Sequence, residues 1–209
     1  MTVKVGEAHE RFIVHEPVLR EQSCFFRAII EKKQWKEGMS GEIELPEDDP
    51  NIFSVYLEWL YSRKLTLVYD PSTTDATDPL FTELASLYVF GEKVQDDNFC
   101  DTIVTQILHA TNRLNKFPCS AANHIIYEGT PETSPARRLL VHLTVEHGTP
   151  DWIDRDEQDH ADFLIDLARE LLARRKDLGA EDTSVEVCCR WHKHESQHEC
   201  SAPAATRSD

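Results

Sequence analysis

The side chains best suited to coordination chemistry crowd into one stretch, "CCRWHKHESQHEC", Cys188 to Cys200, which holds three Cys and three His. Thiolates and imidazoles are the donors Zn²⁺ prefers, and four of them close a tetrahedron. His192 and His194 stand two apart and would point the same way in an extended chain. One conceivable ligand set is Cys189, His192 or His194, His198 and Cys200. The spacing matches no standard finger, however, and His198 and Cys200 are cramped. The expectation is a flexible tail without a resident cofactor, with zinc at these residues as the alternative. Cys188 and Cys189 are adjacent, but no neighbouring motif supports a redox role.

Elsewhere the residues offer little chemistry. Seven glycines include no phosphate-cradling loop, and there is no nucleophile elbow and no acid/base pair. His15 lies beside an apolar strand pattern and lacks a motif-linked partner, so it reads as a packed, hydrogen-bonded core residue. The chain is not expected to be an enzyme.

The elements that would position anything functional follow from charge and periodicity. With 38 Asp+Glu against 22 Lys+Arg, the formal net charge of −16 repels phosphate backbones, which disfavours nucleic-acid binding. The densest basic clusters, Arg137-Arg138 and Arg174-Arg175-Lys176, sit beside acids in helical patterns and read as solvated faces and helix ends. No apolar run approaches the ~20 residues that span a bilayer. The opening residues do not look like a secretory signal, and Cys24, Cys100 and Cys119 are spaced as single buried thiols. A soluble intracellular protein, cytoplasmic or nuclear, is expected.

Val3 and Val5 alternate with polar neighbours, as do Phe12 and Val14, with "GEAHE" as the turn between them: a hairpin. "PVLREQSCFFRAIIEKK" follows as two short helices broken near Ser23, ending near Lys33, and "GEIELP" as a third strand. Asp49-Pro50 opens a helix in which Phe53, Tyr56, Leu57 and Leu60 form a stripe that Val55, Trp59 and Tyr61 widen almost round the cylinder. So greasy a helix belongs inside a domain. Val68 to Pro79 is a polar loop. Further helices start at Leu80, after Asp96-Asp97, within "SAANHIIYEG", after Ser134-Pro135, and within Asp154–Gly179, where Phe163, Leu164, Leu167, Leu171 and Leu172 make the stripe. From Ala180 onward small and polar residues dominate.

Hairpin, two short helices, third strand, paired helices: this order resembles the BTB/POZ family. "FIVHEPVLREQSCFF" is similar to its signature of Val-His, a Leu four residues on, a Ser and an aromatic pair. "LPEDDPNIFSVYLEWLYSRKL" resembles its acidic turn and central buried helix, and "LYVFGEKVQDDNFCDTIV" its closing helix pair. "IYEGTPETSPARRLLV" looks like an extension of fungal members. The resemblance covers roughly residues 3 to 145 and implies an α+β BTB/POZ fold, with residues 1–116 as the domain, 117–179 as a helical extension and 180–209 as the tail. His15, Leu19, Phe53, Leu57, Trp59 and Leu60 are its expected core.

The family implies protein–protein interaction without catalysis. Many members are adaptors that hold a cullin scaffold while another part holds a ubiquitination substrate. In those, a hydrophobic-x-Glu motif follows the helix that carries the aromatic pair. Trp35-Lys36-Glu37 stands at that place, so the resemblance implies a docking surface of Trp35, Glu37, Phe26 and Ile30: an aromatic anchor with a carboxylate to orient it. The chain starts at the first core strand, without the helix that precedes it in dimerising members, so homodimerisation stays open. No kelch, ankyrin or zinc-finger substrate module is recognisable.

Overall fold

In the computed structural model, residues 1–34, 41–67, 79–153 and 159–178 are described. The chain divides into two compact units, Met1–Ala168 and Arg169–Asp209.

The first unit begins with strand β1 (Thr2–Val5), which pairs antiparallel with β2 (Glu10–Ile13) and parallel with β3 (Glu42–Leu45), giving the order β2-β1-β3. Alternation sets the two faces. Val3, Val5, Ile43 and Leu45 are buried, while Lys4 on the opposite face bonds Glu42 at 2.6 Å. The β1–β2 turn passes through Gly6 at φ +75°, where an added Cβ would also lie 3.0 Å from Pro50 Cγ. Glycine meets both demands.

Helices α1 (Glu16–Gln22) and α2 (Cys24–Gln34) form the crossover from β2 to β3. The break between them is Ser23, in extended conformation. Its Oγ accepts the Phe26 N–H at 3.1 Å and donates to the Val94 carbonyl at 2.5 Å. One buried hydroxyl therefore caps α2 and ties it to the far end of helix α4 (Pro79–Val94). The expected two-helix reading with a break at Ser23 holds for this reason.

Helix α3 (Pro50–Ser62) starts where Asp49 Oδ1 accepts the Asn51 N–H at 2.7 Å, with Pro50 as first helical residue, and stops at Arg63 in the left-handed region. Phe53, Tyr56, Trp59 and Leu60 are buried. Tyr56 meets the rings of Phe90 and Phe99 edge-on, with centroids 5.3 and 4.9 Å away. The aromatic helix is thus central, with Leu57 at its half-buried margin.

Helix α4 packs against α2, α3, α5 (Asp97–Leu114) and α6 (Ser120–Gly129). Close approach to its neighbours falls at glycines: a Cβ on Gly91 would lie 2.8 Å from Cys100 Sγ, and one on Gly129 2.4 Å from Val89 Cγ1. Helix α7 (Pro135–His147) is capped by Ser134 and packs on α6. Helix α8 (Ala161–Leu178) contributes Phe163 and Leu167 to the core of this unit.

In the second unit the described residues are the later turns of α8, where Arg174 Nε bonds Glu170 Oε1 at 3.1 Å and Leu171 and Leu172 are exposed. Among the described residues, no helix is long and apolar enough to cross a membrane.

Candidate protein-interaction site

Helix α2 leads towards the expected docking motif, so its register decides which side chains a partner can reach. Phe26 and Ile30 lie one turn apart and are 0% and 3% exposed. Both belong to the core, which corrects their placement at a docking surface. The reason is the helical step: the capping bond from Ser23 Oγ to the Phe26 N–H fixes Phe26 inward, and Ile30 follows at i+4. The side chains that reach the surface from the same pairs are Phe25 and Ile29, both half-buried and packed on the core edge. Phe25 rests edge-on against Phe26, centroid to centroid 5.2 Å. Flanking them, Cys24, Arg27, Ala28, Glu31 and Lys32 are exposed. Trp35 and Glu37 lie outside the described residues, as do Cys189, His192, His194, His198 and Cys200. Among the described residues, no group of three or more His, Cys, Asp or Glu could hold a metal ion.

His15 is exposed, which corrects the expectation of a packed core residue. It sits at the N-cap position of α1, and the neighbouring Val14 takes the inward position of the chain. Its hydrogen bonding is nevertheless specific. The backbone N–H donates to Tyr61 Oη at 3.0 Å, and Nδ1 is 2.8 Å from the same oxygen. The phenol accepts the first bond, which leaves its own proton for Nδ1. This pair fastens the end of α3 to the start of α1. Close by in sequence, Ile13 is 87% exposed. Of the remaining expected core residues, Leu19, Phe53, Trp59 and Leu60 are buried, and Leu57 is half-buried.

Two buried polar arrangements brace the helices behind this surface. Asp96 caps α5 through Oδ1, which accepts the Phe99 N–H at 3.1 Å, and receives the Tyr56 phenol on Oδ2 at 2.9 Å. Burial pushes the Asp96 carboxyl above its ordinary range, against the opposing pull of those donors and of Arg63. Arg63 itself lies over the Trp59 ring, 4.8 Å from its centroid, and donates to Gln22 Oε1 at 3.2 Å. The second arrangement joins α4 to α7: Tyr88 donates to Glu92 Oε1 at 2.9 Å, and Ser134 Oγ, the cap of α7, lies 3.3 Å from the same oxygen.

Arg137 overturns its reading as a solvated residue, being 7% exposed. Its Nε donates to Thr130 Oγ1 at 3.1 Å, and the terminal nitrogen donates to the carbonyls of Tyr127 and Thr130. The guanidinium carbon stands 4.5 Å from the Tyr127 ring centroid. The planar fork gathers carbonyls left unpaired where α6 ends. Arg138, its neighbour, is exposed. Cys24 was expected among the buried thiols and is exposed, at the first position of α2; Cys119 is half-buried and Cys100 buried.

No curated protein matches the chain. The family model of the BTB/POZ domain matches residues 1–90, the stretch that holds the sheet, α1 to α3 and most of α4, and the small sheet with its helices has the α+β fold of such a domain.

Proposed function

We propose that the chain is a non-catalytic adaptor or scaffold subunit that docks a cullin-type partner through the segment following α2. The observation that carries this reading is the match of residues 1–90 to the BTB/POZ domain. The register of α2 supports it. Phe25 and Ile29 offer a short apolar strip at the surface, and Trp35-Lys36-Glu37 continues the chain beyond Gln34. A large aromatic with a carboxylate beside it is the composition of an interface anchor. What supports placing the chain with fungal members is the run "IYEGTPETSPARRLLV" itself, which is similar to an extension of theirs. Residues 1–116 are then the docking domain and 117–179 the extension, working inside the cell in cytoplasm or nucleus.

Titration calorimetry of the full chain against a cullin N-terminal domain tests the proposal. The wild-type chain binds, and Trp35→Ala with Glu37→Ala weakens binding by at least about tenfold, the effect of losing one hot spot. Unchanged affinity in the double variant removes the motif from the reading, and no binding by the wild-type chain removes the cullin partner.

A further inference from the structure

On one side the sheet ends at β2, and the bonding along that strand fixes which of its backbone groups face outward. Val14 donates its N–H to the Met1 carbonyl at 3.0 Å, and the Met1 nitrogen donates back to the Val14 carbonyl at 2.9 Å. In an antiparallel pair such doubly bonded positions alternate with unbonded ones. The register pairs Thr2 with Ile13, Val3 with Phe12 and Lys4 with Arg11. Phe12 therefore turns its N–H and carbonyl to β1, whereas Arg11 and Ile13 turn theirs away. The same alternation shows on the other side of β1, where the Thr2 N–H goes to Gly41 at 2.9 Å. Among the described residues nothing pairs with the outward groups of Arg11 and Ile13, because β2 is an edge.

Side chains add a pattern to these backbone groups. Phe12 packs inward, its ring 4.9 Å from that of Phe53. Arg11 and Ile13, two apart, share the outer face of the sheet. Ile13 is 87% exposed, and the exposed Arg11 has the Glu42 carboxylate no nearer than 3.7 Å. Natural edges are blunted by proline, bulges, a covering segment or charge. The four residues of β2 pair in unbroken register without proline, so charge is the device present, and charge selects partners as well as excluding them. The sheet also shows which side chain suits this face. On β3, Glu42 and Glu44 lie 2.6 and 3.6 Å from Lys4. A carboxylate across from Arg11 repeats that pairing on the open side, and an apolar side chain two residues away covers Ile13.

We infer that the open edge of β2 takes an extended segment of a partner protein as a fourth strand, with an acidic residue meeting Arg11 and an apolar residue two positions away meeting Ile13. Backbone hydrogen bonds supply the attachment, and the two side chains supply the choice of sequence. The net charge of −16 opposes an acidic segment at long range. At physiological salt that field is screened beyond about 8 Å, and the Arg11 pair acts at shorter range. A second copy of this chain fits less well. Antiparallel self-pairing of β2 sets Arg11 against another Arg11, against Ile13 or against His15, and not against a carboxylate. None of the residues used here belongs to the cullin-docking segment after α2.

Amide exchange on the full chain, read by NMR, tests this with the blocked peptide TVTETVT, whose Glu has a Val two residues away on either side, and with TVTKTVT as control. In the free chain the Phe12 and Val14 amides are protected and those of Arg11 and Ile13 are not. With TVTETVT at about ten times its Kd, protection of the Arg11 and Ile13 amides rises about tenfold. TVTKTVT binds about fivefold more weakly, and Arg11→Glu reverses the order of the two peptides. Ile13→Pro removes an outward N–H and none from the β1 ladder. It lowers TVTETVT affinity about tenfold and leaves the Val14 amide protected. The inference is overturned if TVTETVT does not bind, if its binding perturbs residues away from β2, or if Arg11→Glu keeps the peptide order. Protection of Arg11 and Ile13 that grows with chain concentration alone also overturns it, and identifies a second copy as the occupant.

Discussion

Tyr56 on α3 donates its phenol proton to Asp96 at the cap of α5, 2.9 Å apart and with both residues 0% exposed. The pair joins the central aromatic helix to the closing helix of the domain. It also sets a pH dependence whose sign follows from burial. The Asp96 carboxyl is raised above its ordinary range, first by desolvation, so the folded state holds this proton more tightly than the unfolded chain does. Its contribution to stability is fully present below the unfolded carboxylate value, about pH 4, and is lost as pH rises through the raised folded value. Asp96→Asn removes the titration while keeping an acceptor for the Phe99 N–H. In urea unfolding across pH 4 to 7.5, Asp96→Asn gains stability relative to wild type as pH rises. A difference that stays flat with pH contradicts the assignment. Asp96→Ala loses both the cap and the partner of the Tyr56 hydroxyl, and costs about 3 kcal/mol.

Much of this fold is legible in the sequence because local signals and burial agree. Asp49-Pro50, Ser134-Pro135 and the acids before Phe99 each combine a capping side chain with a helix start, and each opens a helix in the structure. The strand alternation of Val3 and Val5 survives for the same reason: one face is covered and the other carries an ion-pair ladder. What the sequence left ambiguous was direction. Phe25 and Phe26 are chemically equal, and only the Ser23 bonds to Val94 and Phe26 decide which ring turns inward. His15 and Val14 likewise exchange inner and outer places through one step of the chain. Arg137 was hidden because two of its three hydrogen bonds go to backbone carbonyls, which no side-chain pattern announces; a Tyr and a Thr shortly before a helix-opening Ser-Pro were the trace of the other partners.

The Arg137 clasp gives a sharp stability prediction. Its charge is met by two carbonyls, a hydroxyl and the face of Tyr127. Lysine keeps the charge but is a point donor, unable to span the fork, so Arg137→Lys leaves buried acceptors unpaired and a cation poorly solvated. The expected loss is about 2 to 3 kcal/mol in urea unfolding, accompanied by faster amide exchange in residues 127 to 140. A loss under about 0.5 kcal/mol, the size of an ordinary surface change, means the clasp is not a stabilising element.

The thiols divide by burial in a way that labelling can read. Cys100 is buried against α4, with Sγ 3.9 Å from the Tyr88 carbonyl. Desolvation, followed by Glu92, Asp96, Asp97 and Asp101, pushes its thiol up to about 12. Thiolate is the reactive form, so at pH 8 only about one molecule in ten thousand carries it at that position. Cys24 stands exposed at the start of α2. Iodoacetamide at pH 8, followed by peptide mass spectrometry, therefore modifies Cys24 in the native protein and leaves Cys100 intact until denaturant is added. Replacing Gly91 with alanine puts a Cβ 2.8 Å from Cys100 Sγ and 3.0 Å from Phe99 Cδ1. That forces α4 and α5 apart and raises the labelling rate of Cys100 in otherwise native buffer. Equal native labelling of Cys24 and Cys100 in the wild-type chain means that α4 and α5 do not close over the thiol in solution.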